Sequence, residues 1–366
     1  MSITMHDVAR LAGVSIKTVS NVINDYPYIK PETRLRVTEA IDQLGYRPNL
    51  SARSLRSGRS GVISLIIPNL RNAYFAELAD SVMKAADARA LSVVIEQSGG
   101  DRERELSLMR GPHALMVDGI LCSVLALGEE DAHLLSSVKT PLVLLGERIF
   151  SGPTDHVTMR NTEGVKAATE HLLSLGRRRI VALGAHRGEV IGSAGLRLLG
   201  YQQALAEAGV DYDESRVLEV GGWFRSGGAD AMSRLLQSGP PFDGLVAFND
   251  DMALGAMRTM QEAGIRIPDD VAVIGYDDLD ETRYSLPTLS TINPGRDEIA
   301  AVAVDFLRER IADADQPRRQ HLTEFELVQR ESTAPSSSSR SPVGPALPGR
   351  PRHRQPEVVL PEGVAG

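Results

Sequence analysis

From Gly61 onward the chain repeats one grammar, a short apolar run of strand length followed by a stretch with helical spacing. Val62–Ile67 precedes a helical pattern over residues 75–90, and apolar runs at 91–96, Gly119–Ser123 and Leu142–Leu145 continue the series. After a polar link the rhythm restarts with helical 162–175, apolar 179–183 and helical 196–208. It continues through Gly244–Ala247, 252–263 and 271–275. Alternation of this kind requires parallel sheets with helices on both faces. Because the series begins twice, the expectation is two similar doubly wound α/β lobes with a cleft between them. Residues 335–366 are rich in Pro, Ser, Gly and Arg and poor in apolar side chains, the composition of a disordered tail.

The first sixty residues follow another pattern. Thr4 with Asp7 three residues on has the form of a capping box, ahead of an apolar face of Val8, Ala9, Leu11 and Ala12. Gly13 breaks that helix, and Ser15 suits the cap of a second over 16–24, with Val19, Val22 and Ile23 on one side. Pro31 opens a third, which carries Leu35, Val37, Ala40, Ile41 and Leu44 and ends at Gly45. Lys30, at its cap position, is a weak cap. Small Ala9 and Ala12 let the first two helices cross closely. The second then presents Ser15, Ile16, Lys17, Thr18, Ser20 and Asn21 outward, all short or polar enough to enter a major groove. A helical hairpin with a solvated polar face has the same pattern, so the helices alone leave two readings.

Charge separates this head from the rest. Residues 1–60 hold nine Lys or Arg against five acids, a surplus of four, whereas the whole chain is at −8 and the remainder therefore at −12. A basic head on an acidic body is the arrangement a local phosphate footprint needs. In such a footprint Lys17 can donate to guanine O6 and N7, Asn21 can pair with adenine N6 and N7, and Ile16 offers apolar contact alone.

The order and spacing of four segments carry a family resemblance. These are residues 4–24, then Lys30-Pro31-Glu32-Thr33-Arg34, then Leu44-Gly45-Tyr46-Arg47-Pro48-Asn49, then Ala52-Arg53-Ser54-Leu55. Together they resemble the head of the lac repressor (LacI/GalR) family of transcriptional regulators. The resemblance implies a small all-α helix-turn-helix head over 1–47 and a hinge over 48–60. It also implies a two-lobed core over 61–334, similar to periplasmic sugar-binding proteins. Lobe 1 would comprise about 61–160 with 292–321, and lobe 2 about 161–291 with 322–334. By position, Ile16, Lys17 and Asn21 would read bases, and Thr4, Ser15, Thr18, Ser20 and Asn24 would contact phosphates or cap. Asn49, Ala52, Arg53, Leu55 and Arg56 would form a hinge helix that orders on DNA beside its dimer mate, with Leu55 wedged into the minor groove. Eight residues cannot hold a helix alone in water. Packing of Leu55 between linker and body is the alternative.

For the core, the resemblance implies a small effector, a sugar or sugar derivative, held at the carboxyl ends of the strands by Tyr74, Phe75, Arg197, Trp223, Asn249 and Asp277. The chemistry suits a polyol. Asp277, Asn249 and Arg197 can share hydroxyl hydrogen bonds, and Trp223, the single tryptophan, can stack on an apolar sugar face. Asn249 and Asp277 could instead cap the loops after their strands, and Tyr74 and Phe75 could be ordinary core. One departure stands out. Some sugar-responsive members carry an Asp after the strand Leu142–Leu145, and this chain has Gly146, Glu147 and Arg148. A tetramer of lac repressor type has no heptad-bearing C-terminal helix to support it. The implied partners are a pseudo-palindromic double-stranded DNA operator, the effector and a second copy of the chain.

Other classes fail on motif. The loop after 179–183 reads Gly184-Ala185-His186-Arg187-Gly188, which is no dinucleotide fingerprint, and there is no P-loop. No catalytic set, metal site or cofactor is expected. An exported binding protein would need a signal segment where the helix-turn-helix stands. Cys122 is the only cysteine, so no intrachain disulfide can form, and no apolar run approaches the ~18 residues of a membrane span. A cytoplasmic location is the expectation.

Overall fold

The computed structural model describes residues 3–23, 26–46 and 59–334. Asn24, the hinge residues Asn49, Ala52, Arg53, Leu55 and Arg56, and the tail 335–366 lie outside them. In the head, α1 (Met5–Ala12), α2 (Ile16–Ile23) and α3 (Pro31–Leu44) pack around buried Val8, Ala9, Ala12, Val19, Val22, Val37, Ala40 and Tyr46. The Asp7 carboxylate accepts from both the N–H of Thr4 (3.0 Å) and its hydroxyl (2.7 Å), which fixes the entry of α1. Its exit is Gly13 at φ +64°, a left-handed conformation that admits glycine without a Cβ penalty.

The body contains two six-stranded sheets. The first has the order β11-β5-β4-β3-β1-β2, from β1 (Val62–Ile67), β2 (Ser92–Gln97), β3 (Gly119–Ser123), β4 (Leu142–Leu145), β5 (Asp155–Met159) and β11 (Gln320–Thr323). All its pairings are parallel. The second has the order β12-β10-β9-β8-β6-β7, from β6 (Ile180–Ala185), β7 (Val217–Glu219), β8 (Gly244–Ala247), β9 (Ala272–Tyr276), β10 (Ser290–Asn293) and β12 (Glu326–Val328). Only β12 runs antiparallel, on β10 at the edge. Helices α4 (Ala73–Asp87), α5 (Arg102–Arg110) and α10 (Arg296–Ala312) serve the first sheet. Those of the second are α6 (Asn161–Ser174), α7 (Ser193–Glu207), α8 (Arg225–Ser238) and α9 (Asp250–Glu262). Strand ends in both sheets therefore open toward one cleft, where doubly wound sheets bind ligands.

The chain passes between the sheets three times, after β5, after β10 and after β11. Two of these crossings fall later than the expected boundaries at 291/292 and 321/322. Ile292 and Asn293 still pair within the second sheet, and Leu322 and Thr323 within the first. The physical reason is that an extended run does not record which sheet it is paired with, so the boundary appears only in the register.

Strand β5 was invisible to apolar periodicity because it begins Asp155-His156. Asp155 is fully buried, and burial alone would raise its pKa. Hydrogen bonds from Arg319 and Arg310, the latter at 2.8 and 3.2 Å, outweigh this and hold its carboxyl below the ordinary range. Two further crossings depend on missing side chains. Gly200 lets α7 lie against Thr162 of α6, and Gly228 and Gly255 let α8 and α9 meet backbone to backbone. A Cβ on Gly255 would overlap the carbonyl oxygen of Arg225. Gly255→Ala is therefore expected to cost about 3 kcal/mol or more, read as a lower denaturant midpoint. An unchanged midpoint would show that the pair can separate freely. Among the described residues no helix is long and apolar enough to cross a membrane, and no cluster of His, Cys, Asp or Glu could hold a metal ion.

Candidate functional site

On the head, Ser15 caps α2, its hydroxyl accepting from the N–H of Thr18 at 3.1 Å and meeting the Thr18 hydroxyl at 2.9 Å. Lys17 is exposed, and Asn21, one turn later, is half-buried on the same helical face. Ser20 is half-buried beside them, and Thr4 is engaged by Asp7. Ile16 differs in placement, since it is half-buried against the head's own core.

In the body, all six residues expected to meet the effector line one cavity of about 370 Å³ between the sheets. Tyr74 and Phe75 open α4, edge to face at 5.3 Å. Their rings pack partly on the core as well, so the core and cavity readings both hold in part. Asn72 caps α4 through its oxygen (3.0 Å to the N–H of Tyr74), while its NH2 donates across the cleft to the Trp223 carbonyl (3.2 Å). Trp223 donates its indole N–H to the Gly184 carbonyl (2.9 Å), which orients the ring at the cavity wall beside His186 (ring centres 5.6 Å apart).

Arg197 is buried on α7. Its guanidinium lies 3.7 Å from the ring centre of Tyr276 and 5.1 Å from that of Trp223. Its Nε donates to Asn161 Oδ1 (2.7 Å) and its Nη1 to the carbonyl of Phe248. Asn249 follows β8 and caps α9. Its oxygen accepts from the N–H of Met252 (2.9 Å) and its NH2 donates to the Trp223 carbonyl (3.2 Å), so the capping role foreseen as an alternative is the one its amide fills.

Asp277 is different. It follows β9 at φ +117°, a conformation rare for a residue with a side chain, and is held by Arg296 Nη1 donating to its carbonyl (3.0 Å). Among the described residues no hydrogen bond reaches its carboxylate, and the nearest cation is Arg197 Nη2 at 3.9 Å. Burial pushes its pKa up from 3.8 to about 7, with Arg197 and Arg296 pulling the other way. A buried carboxylate that faces a cavity, with a distant guanidinium but no hydrogen-bond donor among the described residues, can receive donors from a guest.

Sequence reasoning named Glu147 only as a departure, and it missed Asn161, His186, Glu189 and Ser193. Of these, Asn161 sits beneath Arg197, and Glu147, His186, Glu189 and Ser193 line the cavity. Glu147, His186 and Glu189 follow strands, so the position after each strand end was the available signal. What periodicity could not supply was which of those loops face inward.

The comparisons agree with this geometry. Residues 4–49 match the family model described as bacterial regulatory proteins, lacI family, and residues 169–333 match the periplasmic binding protein-like domain. The HTH-type transcriptional repressor PurR of Vibrio atlanticus (strain LGP32) is 32% identical over 330 residues, covering 90% of this chain and 98% of that protein. Among solved structures, a LacI-family regulator from Sanguibacter keddieii DSM 10542 is 49% identical with a TM-score of 0.71, over 76% of this chain and all of the other. The transcriptional regulator CelR in complex with cellobiose is 30% identical with a TM-score of 0.66, over 90% and 99% of the two chains.

Proposed function

Since this chain belongs to the lacI family of bacterial regulatory proteins and is a DNA-binding transcriptional regulator, we propose that it is a cytoplasmic repressor controlled by a sugar or sugar derivative bound between its lobes. The observation that carries the effector reading is the Asp277 carboxylate in the interlobe cavity, which has Arg197 at 3.9 Å but no hydrogen-bond donor among the described residues, so that ligand hydroxyls can supply the missing donors. The Trp223 ring, which lines the cavity, suits the apolar side of a sugar ring, and the cellobiose complex of a relative is consistent with that class. The test is operator titration with and without a panel of neutral mono- and disaccharides. At least one sugar should change operator affinity by roughly 5–150-fold. No response to any of them would favour a regulator whose cleft does not signal.

For the head, we assign base reading to Ile16, Lys17 and Asn21, with Ile16 limited to apolar contact from its half-buried place, and Thr4, Ser15, Thr18, Ser20 and Asn24 to the phosphate backbone and capping. Lys17→Ala should cost ~1–3 kcal/mol of discrimination at one base pair per half-site. An equal loss on every sequence, with a salt slope smaller by about one, would make Lys17 a phosphate contact instead. The segment 48–60, with Asn49, Ala52, Arg53, Leu55 and Arg56, would join the head (1–47) to the core and bend a pseudo-palindromic operator through Leu55. A two-fold operator calls for a homodimer. Tyr284 and Leu286, 79% and 78% exposed on the second lobe, are apolar surface that a second copy would cover.

A further inference from the structure

We propose that Glu147 is a positioning residue: lying on the first lobe, it reaches across the cleft to Asn161 and through that amide holds Arg197 in place. This rests on the reading of the cleft as the effector site. Glu147 follows β4 and the left-handed Gly146 (φ +99°), and its side chain is buried. Its Oε1 accepts from Asn161 Nδ2 (2.8 Å), and its Oε2 accepts from the Ser193 hydroxyl at the start of α7 (2.7 Å). Asn161 is the first residue of α6, also buried, and its Oδ1 accepts from Arg197 Nε (2.7 Å). An amide between a carboxylate and a guanidinium has one workable orientation, with NH2 toward the anion and oxygen toward the cation. Reversal would set acceptor against acceptor and donor against donor.

The three side chains therefore form one line, Glu147–Asn161–Arg197, in which an anion of one lobe balances a cation of the other through a polarised amide. Buried charges of this kind are stable only with their partners in place. The next residue crosses at the same point, Arg148 Nη1 donating to the Ile191 carbonyl (3.2 Å) beside Glu189 (3.6 Å). Closure of the lobes seats Glu147, and Glu147 then fixes the guanidinium plane over Tyr276 and against Trp223. Opening would withdraw the carboxylate and remove this restraint, leaving Arg197 to the Phe248 carbonyl and Asp277.

The single tryptophan reports this without any ligand, because the guanidinium lies 5.1 Å from its ring. The experiment compares Trp223 emission and crystal structures of the full-length Glu147→Ala, Asn161→Ala, Ser193→Ala and Arg197→Met proteins. Glu147→Ala and Asn161→Ala should both shift the emission in the direction of Arg197→Met, with Arg197 displaced from Tyr276 in the crystals. Ser193→Ala, which spares the line through Asn161, should keep the wild-type spectrum. Amide exchange at the start of α7 should rise about tenfold in Glu147→Ala. Arg197 still stacked on Tyr276 in Glu147→Ala would overturn the proposal. Should that variant not fold, the same result in Asn161→Ala overturns it. A shift in Ser193→Ala equal to that in Glu147→Ala would do so too, by showing that the lobe contact and not the line through Asn161 matters. Because none of these readouts uses a sugar, absence of a sugar response in the wild type would refute the effector reading and leave this result standing or falling by itself.

Discussion

A protein lacking residues 1–60 is expected to fold and to bind no operator at physiological salt. The described residues of the head form a core of their own, of eight buried side chains, so its removal takes no strand or helix from either sheet. What it removes is the surplus of four positive charges and the exposed face of α2; what remains carries −12. Phosphate contacts supply essentially all of non-specific affinity, and base contacts add the discrimination. With both gone and the body repelling the duplex, affinity should fall from the usual 10⁻⁸–10⁻¹¹ M range of specific binders beyond detection, a loss of roughly four orders of magnitude or more. Gel shift or anisotropy titration at about 150 mM salt measures it, with circular dichroism confirming the fold. Sequence-specific binding by the truncated protein would refute the assignment of DNA recognition to the head.

Replacing Asp277 by Asn should abolish the sugar response and at the same time stabilise the ligand-free protein. The sign follows from the direction of its shift. In the unfolded chain the carboxyl loses its proton near pH 4; in the folded protein, chiefly because it is buried, it holds the proton until about pH 7. The group's contribution to stability is complete below pH 4 and is lost as the pH rises toward 7. At pH 8 the buried anion costs on the order of 4 kcal/mol. Asn removes that cost, so the thermal midpoint of Asp277→Asn should exceed the wild type's at pH 8 and match it near pH 4. A ligand that donates hydroxyl hydrogens to the carboxylate should bind the wild type up to tenfold more weakly for each pH unit below 7. The variant, left with a single neutral acceptor, should lose roughly 100-fold in affinity and show no such slope. Calorimetry from pH 5.5 to 8 checks both. Wild-type affinity independent of pH would remove Asp277 from the contact set.

Part of this architecture is legible in the amino-acid sequence. Capping residues gave the head's helices, since Thr4, Ser15, Gly13 and Gly45 act on their own chain neighbours. Apolar runs gave β1, β3, β4 and β8, which are buried on both faces. They did not reveal β5, where Asp155 is buried by two arginines from residues 310 and 319, nor α8, whose glycines serve a neighbouring helix. Among site residues, the six implied by the family resemblance all line the cavity. That resemblance could not show that the Asn249 amide caps α9, or that the Asp277 carboxylate has no hydrogen-bond donor among the described residues.

The amino-acid sequence therefore determined what depends on near neighbours and on composition: the three-helix head, its positive charge, the two strand–helix series and the loops that end their strands. The tertiary structure decided what depends on residues far apart in the chain. Which sheet receives β10 and β11 is a matter of register. The pKa of Asp277 depends on burial by two lobes and on Arg197 and Arg296. The line from Glu147 through Asn161 to Arg197 joins residues fourteen and thirty-six positions apart, and no periodicity encodes it. A hydrogen bond across a cleft exists only once both walls are built, because its energy falls off within a few ångströms.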